Sequence, residues 1–406
     1  MATQFHDTDA LVDAVADASF DRTPAVVANA HITGLSVARA LSAHDVPIIA
    51  IDQVGDGVAP PSDAVDFAGE VRYPLNDPDG FAEDLAAIAD AAGEVIAFGC
   101  MDEWVHAFVN ADVENVIVPW GNHEGVLDKS QLYRRAEKLG VPYPETHFLD
   151  ETDPDDAAEE LGFPLVVKPA RKREGEEAIG SNVVEVANSE ELHDVLEAAD
   201  HSDVEVMLQE KVDIATGEDT SLASYVPEEG DPLSVVGNAA VRYPQEFGTS
   251  CMVQTVDRPE IEARALSVIQ DAGYYGISES EFVYDAAREE YVLLDINTRP
   301  WKWVSMPVAA GANLPYAAYA DAIDEAFDPE EPGDARWVYL RDYLTLLATD
   351  DSFRGVLDGV DWRWLLSGSF EESGDLTTGV YRPSDPAPAA HLLDTEFTDT
   401  EYYCSC

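Results

Sequence analysis

The sequence predicts an α/β domain built on a parallel sheet, followed by an α+β domain. Three observations lead there. Strands and helices alternate through the first 120 residues, the segment after Phe163 turns strand-rich, and a hydrophobic fraction of 46% over 406 residues supports folded cores throughout. At roughly 150 residues per domain, this length holds about two or three domains. The divisions read as 1–121 for the N-terminal α/β domain, 122–327 for the second domain, and 328–406 for a C-terminal extension.

The first twenty or so residues are polar and rich in Ala and Asp, a helix or a loose lead-in. Pro24–Ala28 is an apolar run that reads as a buried strand. A turn over Asn29–Gly34 and a helix over Leu35–His44 follow, and Val46–Ile51 is the next strand, ending in Asp52. Strand, helix and strand within about thirty residues make a βαβ unit, which requires a parallel sheet covered by helices. The pattern continues through a helix near Phe81–Ala92, a strand Val95–Phe98, a helix after Asp102 and a strand Val116–Val118. Beyond Trp120 the character changes. Asp128–Leu139 is helical and stops at Gly140-Val-Pro-Tyr-Pro144. Strands are then expected at Leu165–Lys168, Asn182–Val186, Glu205–Gln209, Ser221–Tyr225 and Leu233–Val241, with helices at Ser189–Ala199 and Pro259–Ala272. The last third holds a polar linker at Asp328–Asp334, an aromatic and partly helical stretch, and the rigid loop Pro383–Pro388.

Asp and Glu number 81 against 23 Lys and Arg, a formal net charge of −58. The acids are spread along the chain, which fits a folded protein adapted to a saline cytoplasm, where cations screen its self-repulsion. This balance excludes a sequence-independent grip on DNA or RNA, and an anionic membrane surface is an equally poor partner. No run approaches eighteen apolar residues and the opening MATQFHDTDA carries no targeting pattern, so the expected location is the cytoplasm. Cys100, Cys251, Cys404 and Cys406 match neither a disulfide framework nor a zinc spacing.

The segments Glu279–Tyr284 and Tyr291–Ile296 read as two strands joined by the polar turn Asp285–Glu290. Alternate residues of a strand share a face, so Asp295, Asn297 and Arg299 point together, and Glu281 opposes them from the paired strand. Two carboxylates and an amide oxygen suit Mg2+, which completes its shell with phosphate and water. An arginine beside them suits a phosphoryl oxygen or a carboxylate. A solvated polar face on an ordinary hairpin is the alternative in so acidic a chain. Lysine is scarce here, at positions 129, 138, 168, 172, 211 and 302 only. Lys168 ends an apolar strand, and Lys129 opens a helix whose dipole already favours anions. Both suit nucleotide phosphates; the alternative for each is a snorkelling or salt-bridged lysine.

Taken in order, these fragments resemble the ATP-grasp superfamily over roughly residues 24–320. They are Asp128-Lys129, Gly140–Pro144, the strand Pro-Leu-Val-Val-Lys-Pro at 164–169, Gln209-Glu-Lys-Val212, Gly217-Glu218, and Glu-Phe-Val with Asp-Ile-Asn-Thr-Arg-Pro at 281–300. The resemblance implies a parallel-sheet domain ahead of a two-subdomain ATP-grasp fold, whose lid-like subdomain would cover about 140–207, with ATP and Mg2+ (or Mn2+) as cofactors. By position, Lys129 and Lys168 would bind ATP phosphates, Glu210, Lys211 and Val212 would line the adenine edge, and Glu218 would hold the ribose. Glu281, Asp295 and Asn297 would hold the metal ions, and Arg299 with Arg242 would steady γ-phosphate or acyl-phosphate oxygens. Such a site works by positioning and charge neutralisation.

Within the superfamily, the stretch Ala28–Ser36, the stretch from Arg242 through Pro244 to Gly248-Thr-Ser250, and the tail Asp385–Pro388 look like carboxylate–amine ligases of the D-aspartate ligase type. That resemblance implies small-molecule carboxylate and amine partners, amide formation through an acyl phosphate, and room for an oligomer. Two alternatives stand beside it: a nucleotide-binding regulatory or scaffold protein without turnover, and ATP-dependent carboxylation or phosphorylation of a small molecule. The chain departs from the family at 170–182, where a glycine-poor basic loop containing Arg171, Lys172 and Arg173 reads either as a phosphate lid or as an exposed salt-bridged loop. Asp295 also replaces the usual glutamate. His31 reads either as a substrate contact or as a loop histidine without a role. Asp102 reads either as a ligand group at a strand end or, preferentially, as a helix N-cap. Trp301 and Trp303 read as core packing rather than as a pocket wall.

Overall fold

Ala25–Ala28 and Ile48–Asp52 are buried at every position, which requires helices on both faces of their sheet. The computed structural model shows that arrangement. It describes residues 3–171, 180–181, 183–202, 204–245, 248–367 and 375–396; the expected basic residues Lys172 and Arg173 and the terminal Cys404 and Cys406 lie outside them.

The first sheet has the order β1-β4-β3-β2-β5-β6 and is parallel throughout. Its strands are β1 (Phe5–His6), β2 (Ala25–Ala28), β3 (Ile48–Asp52), β4 (Phe67–Glu70), β5 (Val95–Gly99) and β6 (Val116–Ile117). The helix after β2, Ile32–Ser42, starts three residues before the expected Leu35. Asn29 takes a positive φ of 66°, and a Cβ at Gly34 would lie 2.2 Å from the Asn29 carbonyl oxygen. Glycine there lets the helix begin directly against the turn.

The second sheet, in the order β7-β10-β8-β9, is antiparallel and made of β7 (Thr146–Phe148), β8 (Leu165–Pro169), β9 (Val184–Val186) and β10 (Val206–Glu210). The third has seven strands in the order β15-β14-β11-β12-β13-β16-β17. They are β11 (Thr220–Val226), β12 (Leu233–Tyr243), β13 (Thr249–Thr255), β14 (Gly276–Asp285), β15 (Glu290–Asn297), β16 (Arg336–Val338) and β17 (Leu376–Thr378). The C-terminal region thus supplies two strands to the third sheet.

Strands β4, β7 and β13 carry no long apolar run, and the sequence pattern does not announce them. Each forms because a neighbouring strand offers it a ladder. The helix Pro259–Ala272, opened by proline and closed at Gly273 with φ 67°, has the bounds the sequence predicts.

One buried cluster joins the first sheet to the third. It contains Val27, Leu35 and Phe98 on one side, and Trp301, Trp303, Tyr319 and Trp337 on the other. Trp301 and Trp303 pack edge to face with centroids 5.0 Å apart, so both are core residues, as the sequence suggested. Tyr319 Oη donates to the Thr23 carbonyl at 2.8 Å, and Asn313 Nδ2 to the Ala40 carbonyl at 2.9 Å. Among the described residues no helix is long and apolar enough to cross a membrane.

Candidate active site

Strands β14 and β15 set the centre of the site. Their register places Glu281 opposite Asp295 and Glu279 opposite Asn297, with a bulge just after Glu281. Asn297 Nδ2 donates to Glu281 Oε1 at 2.6 Å and to Glu279 Oε2 at 3.4 Å. The three expected metal ligands are therefore neighbours, and they offer the oxygen donors that a hard divalent cation takes. In their present arrangement they are tied to protein partners: Glu281 to Asn297, and Asp295 to Lys129. Among the described residues, no group of three or more His, Cys, Asp or Glu side chains is gathered as a ready metal cluster.

Lys129 and Lys168, the two lysines expected at the phosphates, both reach toward β15. Asp128 caps the helix Lys129–Leu139 by accepting from Gln131 N at 3.0 Å, which fixes where Lys129 sits. Lys129 Nζ donates to Asp295 Oδ2 at 2.5 Å, while its backbone N–H donates to the Ala170 carbonyl at the end of β8. Lys168, on β8, donates to Tyr133 Oη at 3.4 Å; Tyr133 in turn donates to the Leu294 carbonyl at 2.8 Å. Helix, second sheet and β15 are thereby knotted around one polar spot. Both lysines are buried.

Arg299 follows β15 and Arg242 lies on β12. Arg299 Nε donates to Asp102 Oδ1 at 2.6 Å. Arg242 donates through Nε to Asp219 Oδ2 at 2.6 Å and through a terminal nitrogen to the Gly248 carbonyl at 2.9 Å. A Cβ at Gly248 would lie 1.9 Å from the Pro244 carbonyl oxygen, so this close approach admits only glycine. Glu279, which is buried, interacts electrostatically with both arginines. Desolvation first, then the Glu281 carboxylate, push its carboxyl up to about 8, against the pull of Arg299, Arg242 and Ser221.

The expected adenine and ribose residues are placed less centrally. Glu210 closes β10, and its carboxylate accepts from Glu145 N at 2.6 Å and pairs with Arg288 at 2.5 Å. Lys211 is exposed and its Nζ reaches Glu185 on β9 at 2.7 Å, so its side chain serves the second sheet. Val212 is half-buried. The segment after it runs beside the β14–β15 turn, with Ala286 N donating to the Asp213 carbonyl and Ala215 N to the Tyr284 carbonyl. Glu218 is exposed and accepts from Tyr291 Oη at 3.2 Å.

No protein-family model matches this sequence, and no curated protein matches it either. Solved structures do match. The N5-carboxyaminoimidazole synthetase of Staphylococcus aureus, complexed with ADP, has a TM-score of 0.60 at 15% identity, covering 79% of this chain and 82% of that one. Biotin carboxylase of Campylobacter jejuni, in complex with β,γ-ATP, has a TM-score of 0.61 at 15% identity, covering 78% and 75%. The biotin carboxylase domain of Hydrogenobacter thermophilus 2-oxoglutarate carboxylase, solved with MgADP, ADP and bicarbonate, gives 0.58 at 16%, covering 74% and 70%. This chain has the ATP-grasp fold.

On the ATP-grasp fold of this chain, several residues of the polar centre carry little or no signal in the sequence. Tyr133 links Lys168 to β15, and Asp219 holds Arg242. Glu279 was visible as an acid two positions before Glu281 on the same strand, and that spacing was its only signal. Asp102 needs a correction. It is the first residue of the helix Asp102–Ala111, Met101 holds the N-cap position, and the Asp102 carboxylate is taken up by Arg299. His31 is buried, with Nε2 3.6 Å from Asp52 Oδ2, and desolvation lowers its pKa to about 3. A neutral imidazole held in this way has no charge to offer a substrate carboxylate.

Proposed function

We propose that this protein is an ATP-dependent carboxylate–amine ligase that forms an amide or peptide bond through an acyl phosphate. The observation that carries the reading is the convergence of Lys129, Asp295, Glu281 and Asn297 at the join of helix, β14 and β15, with Arg299 and Arg242 close by on an ATP-grasp fold. In this reading Lys129 and Lys168 bind the nucleotide phosphates, Glu210, Lys211 and Val212 border the adenine, and Glu218 meets the ribose. Glu281, Asp295 and Asn297 hold Mg2+, which when bound neutralises phosphate charge. A substrate carboxylate oxygen attacks the γ-phosphorus, the bond to the β-phosphate oxygen breaks, and ADP leaves. The amine nitrogen then attacks the acyl carbon, phosphate departs, and the ammonium proton passes to solvent. Arg299 and Arg242 face the oxygens on which negative charge gathers during both steps.

A test of the acyl phosphate is oxygen transfer from a carboxylate labelled with 18O. The ligase reading expects one labelled oxygen in each released phosphate; unlabelled phosphate contradicts it. A second reading takes bicarbonate as the carboxylate, and the structural neighbour solved with MgADP and bicarbonate favours it. Turnover that persists without any organic carboxylate, and stops when bicarbonate is removed, would select that reading. We also read the charge of −58 as adaptation to a saline cytoplasm.

A further inference from the structure

Asp102 stands at the carboxyl end of β5, where a parallel sheet presents its helix-opening residues to a ligand crevice. Its partner, Arg299, lies 197 positions away, on the segment leaving the metal-bearing strand. Arg299 is nine-tenths buried. Its guanidinium meets Asp102 through Nε and the Pro300 carbonyl through a terminal nitrogen at 3.3 Å. Three carboxylates surround it electrostatically: Asp102, Glu279 and Glu103. Glu103 accepts from Tyr73 Oη at 3.2 Å, and Glu279 accepts from Asn297. Asp102 is the acid bonded to the guanidinium itself.

An arginine among several acids has several directions in which to turn, and each would aim its donor fork differently. A short charge-assisted bond at Nε removes that choice while the terminal nitrogens keep further donors. We propose that Asp102 is a positioning residue that aims Arg299 at the terminal phosphate of a bound nucleoside triphosphate, so that the N-terminal domain sets how strongly this site distinguishes ATP from ADP. The inference rests on the nucleotide reading of the site given above and adds to it a residue from outside the nucleotide-binding sheets.

The test is calorimetry of the full chain in concentrated KCl, with Mg2+ and either ADP or a non-hydrolysable ATP analogue. The proteins are the wild type, Asp102→Asn, Asp102→Glu, Arg299→Met and the Asp102→Asn/Arg299→Met pair, each checked for cooperative thermal unfolding. Asp102→Asn is expected to bind the analogue about tenfold more weakly while its ADP affinity stays within about twofold. Asp102→Glu should recover most of the loss, and the double variant should be no weaker than Arg299→Met. An unchanged triphosphate preference in Asp102→Asn overturns the proposal. So does an equal loss for ADP and analogue, which marks a merely structural role, or an Arg299→Met that keeps its preference. A wild type that binds neither nucleotide overturns the functional reading and this inference together.

Discussion

The ammonium of Lys129 lies 2.5 Å from Oδ2 of Asp295, a residue 166 positions further along the chain. Lys129 is buried, and burial opposes its charge, yet Asp295, Tyr133 and Glu281 outweigh that effect and push its pKa up to about 12. The lysine expected to meet phosphate is therefore, in this structure, the counter-ion of a residue expected to meet metal. Under the proposed function, nucleotide and metal arriving together would exchange these partners without leaving either charge alone.

Removal of the ammonium should uncouple the two events. Lys129→Met removes the ammonium that competes with a metal for Asp295 Oδ2, and we expect Mn2+ to bind the nucleotide-free variant roughly tenfold more tightly than it binds the wild type. ATP should bind the variant more weakly. Mn2+ electron paramagnetic resonance and calorimetry read the two effects separately, and unchanged Mn2+ affinity would contradict the exchange.

The C-terminal region is clasped to the N-terminal domain by a second buried pair. Asp385 Oδ2 accepts from Arg39 at 2.8 and 3.0 Å and from Ser62 Oγ at 2.6 Å. Asp385→Ala takes the carboxylate away from a buried guanidinium, which keeps its bond to the Val380 carbonyl, and a loss of about 3 kcal/mol is expected. A denaturant melt in concentrated KCl measures it; a change below about 0.5 kcal/mol would show that the clasp is dispensable.

Asp52 gives a pH dependence. Burial pushes its carboxyl up to about 7, against hydrogen bonds from the Ala30 and Gln53 amides. The folded chain therefore holds this proton at pH values where the unfolded chain has released it, and folding stability from Asp52 is full at low pH and falls as pH rises from about 4 to 7. The decline is at most about 1.4 kcal/mol per pH unit. Asp52→Asn keeps an acceptor for Ala30 N and should remove this decline, so the variant gains on the wild type between pH 5 and pH 8. An equal difference at both values would contradict the assignment.

A net charge of −58 on one folded chain predicts strong stabilisation by screening. The melting temperature should rise steadily from dilute buffer to molar KCl. A flat response would mean that the acids are arranged without appreciable self-repulsion.

Much of the centre was legible because it is local in sequence. Period-two spacing sets Asp295 and Asn297 two positions apart on β15, and the pairing of Glu281 with Asp295 follows from a short hairpin. The Asp128 cap announced the helix that carries Lys129. Contacts that join distant segments were not legible. Arg299 finds Asp102, Lys168 finds Tyr133, and Arg39 finds Asp385 only after three sheets have assembled. Short strands such as β4 and β7 were invisible for the same reason, since their partners and not their own residues make them strands. Lys211 stands out in the sequence through its place in a motif, whereas its side-chain partner, Glu185 on β9, carries no such signal.

The most direct test of the ligase account is phosphate release from Mg-ATP in concentrated KCl, with amino acids and small carboxylates offered with and without pooled amines. Lys168→Ala serves as the control. The account predicts release that needs both a carboxylate and an amine and that disappears in the variant. Release that ignores the amine, or a folded, ATP-binding protein that is silent with every pair, would contradict it.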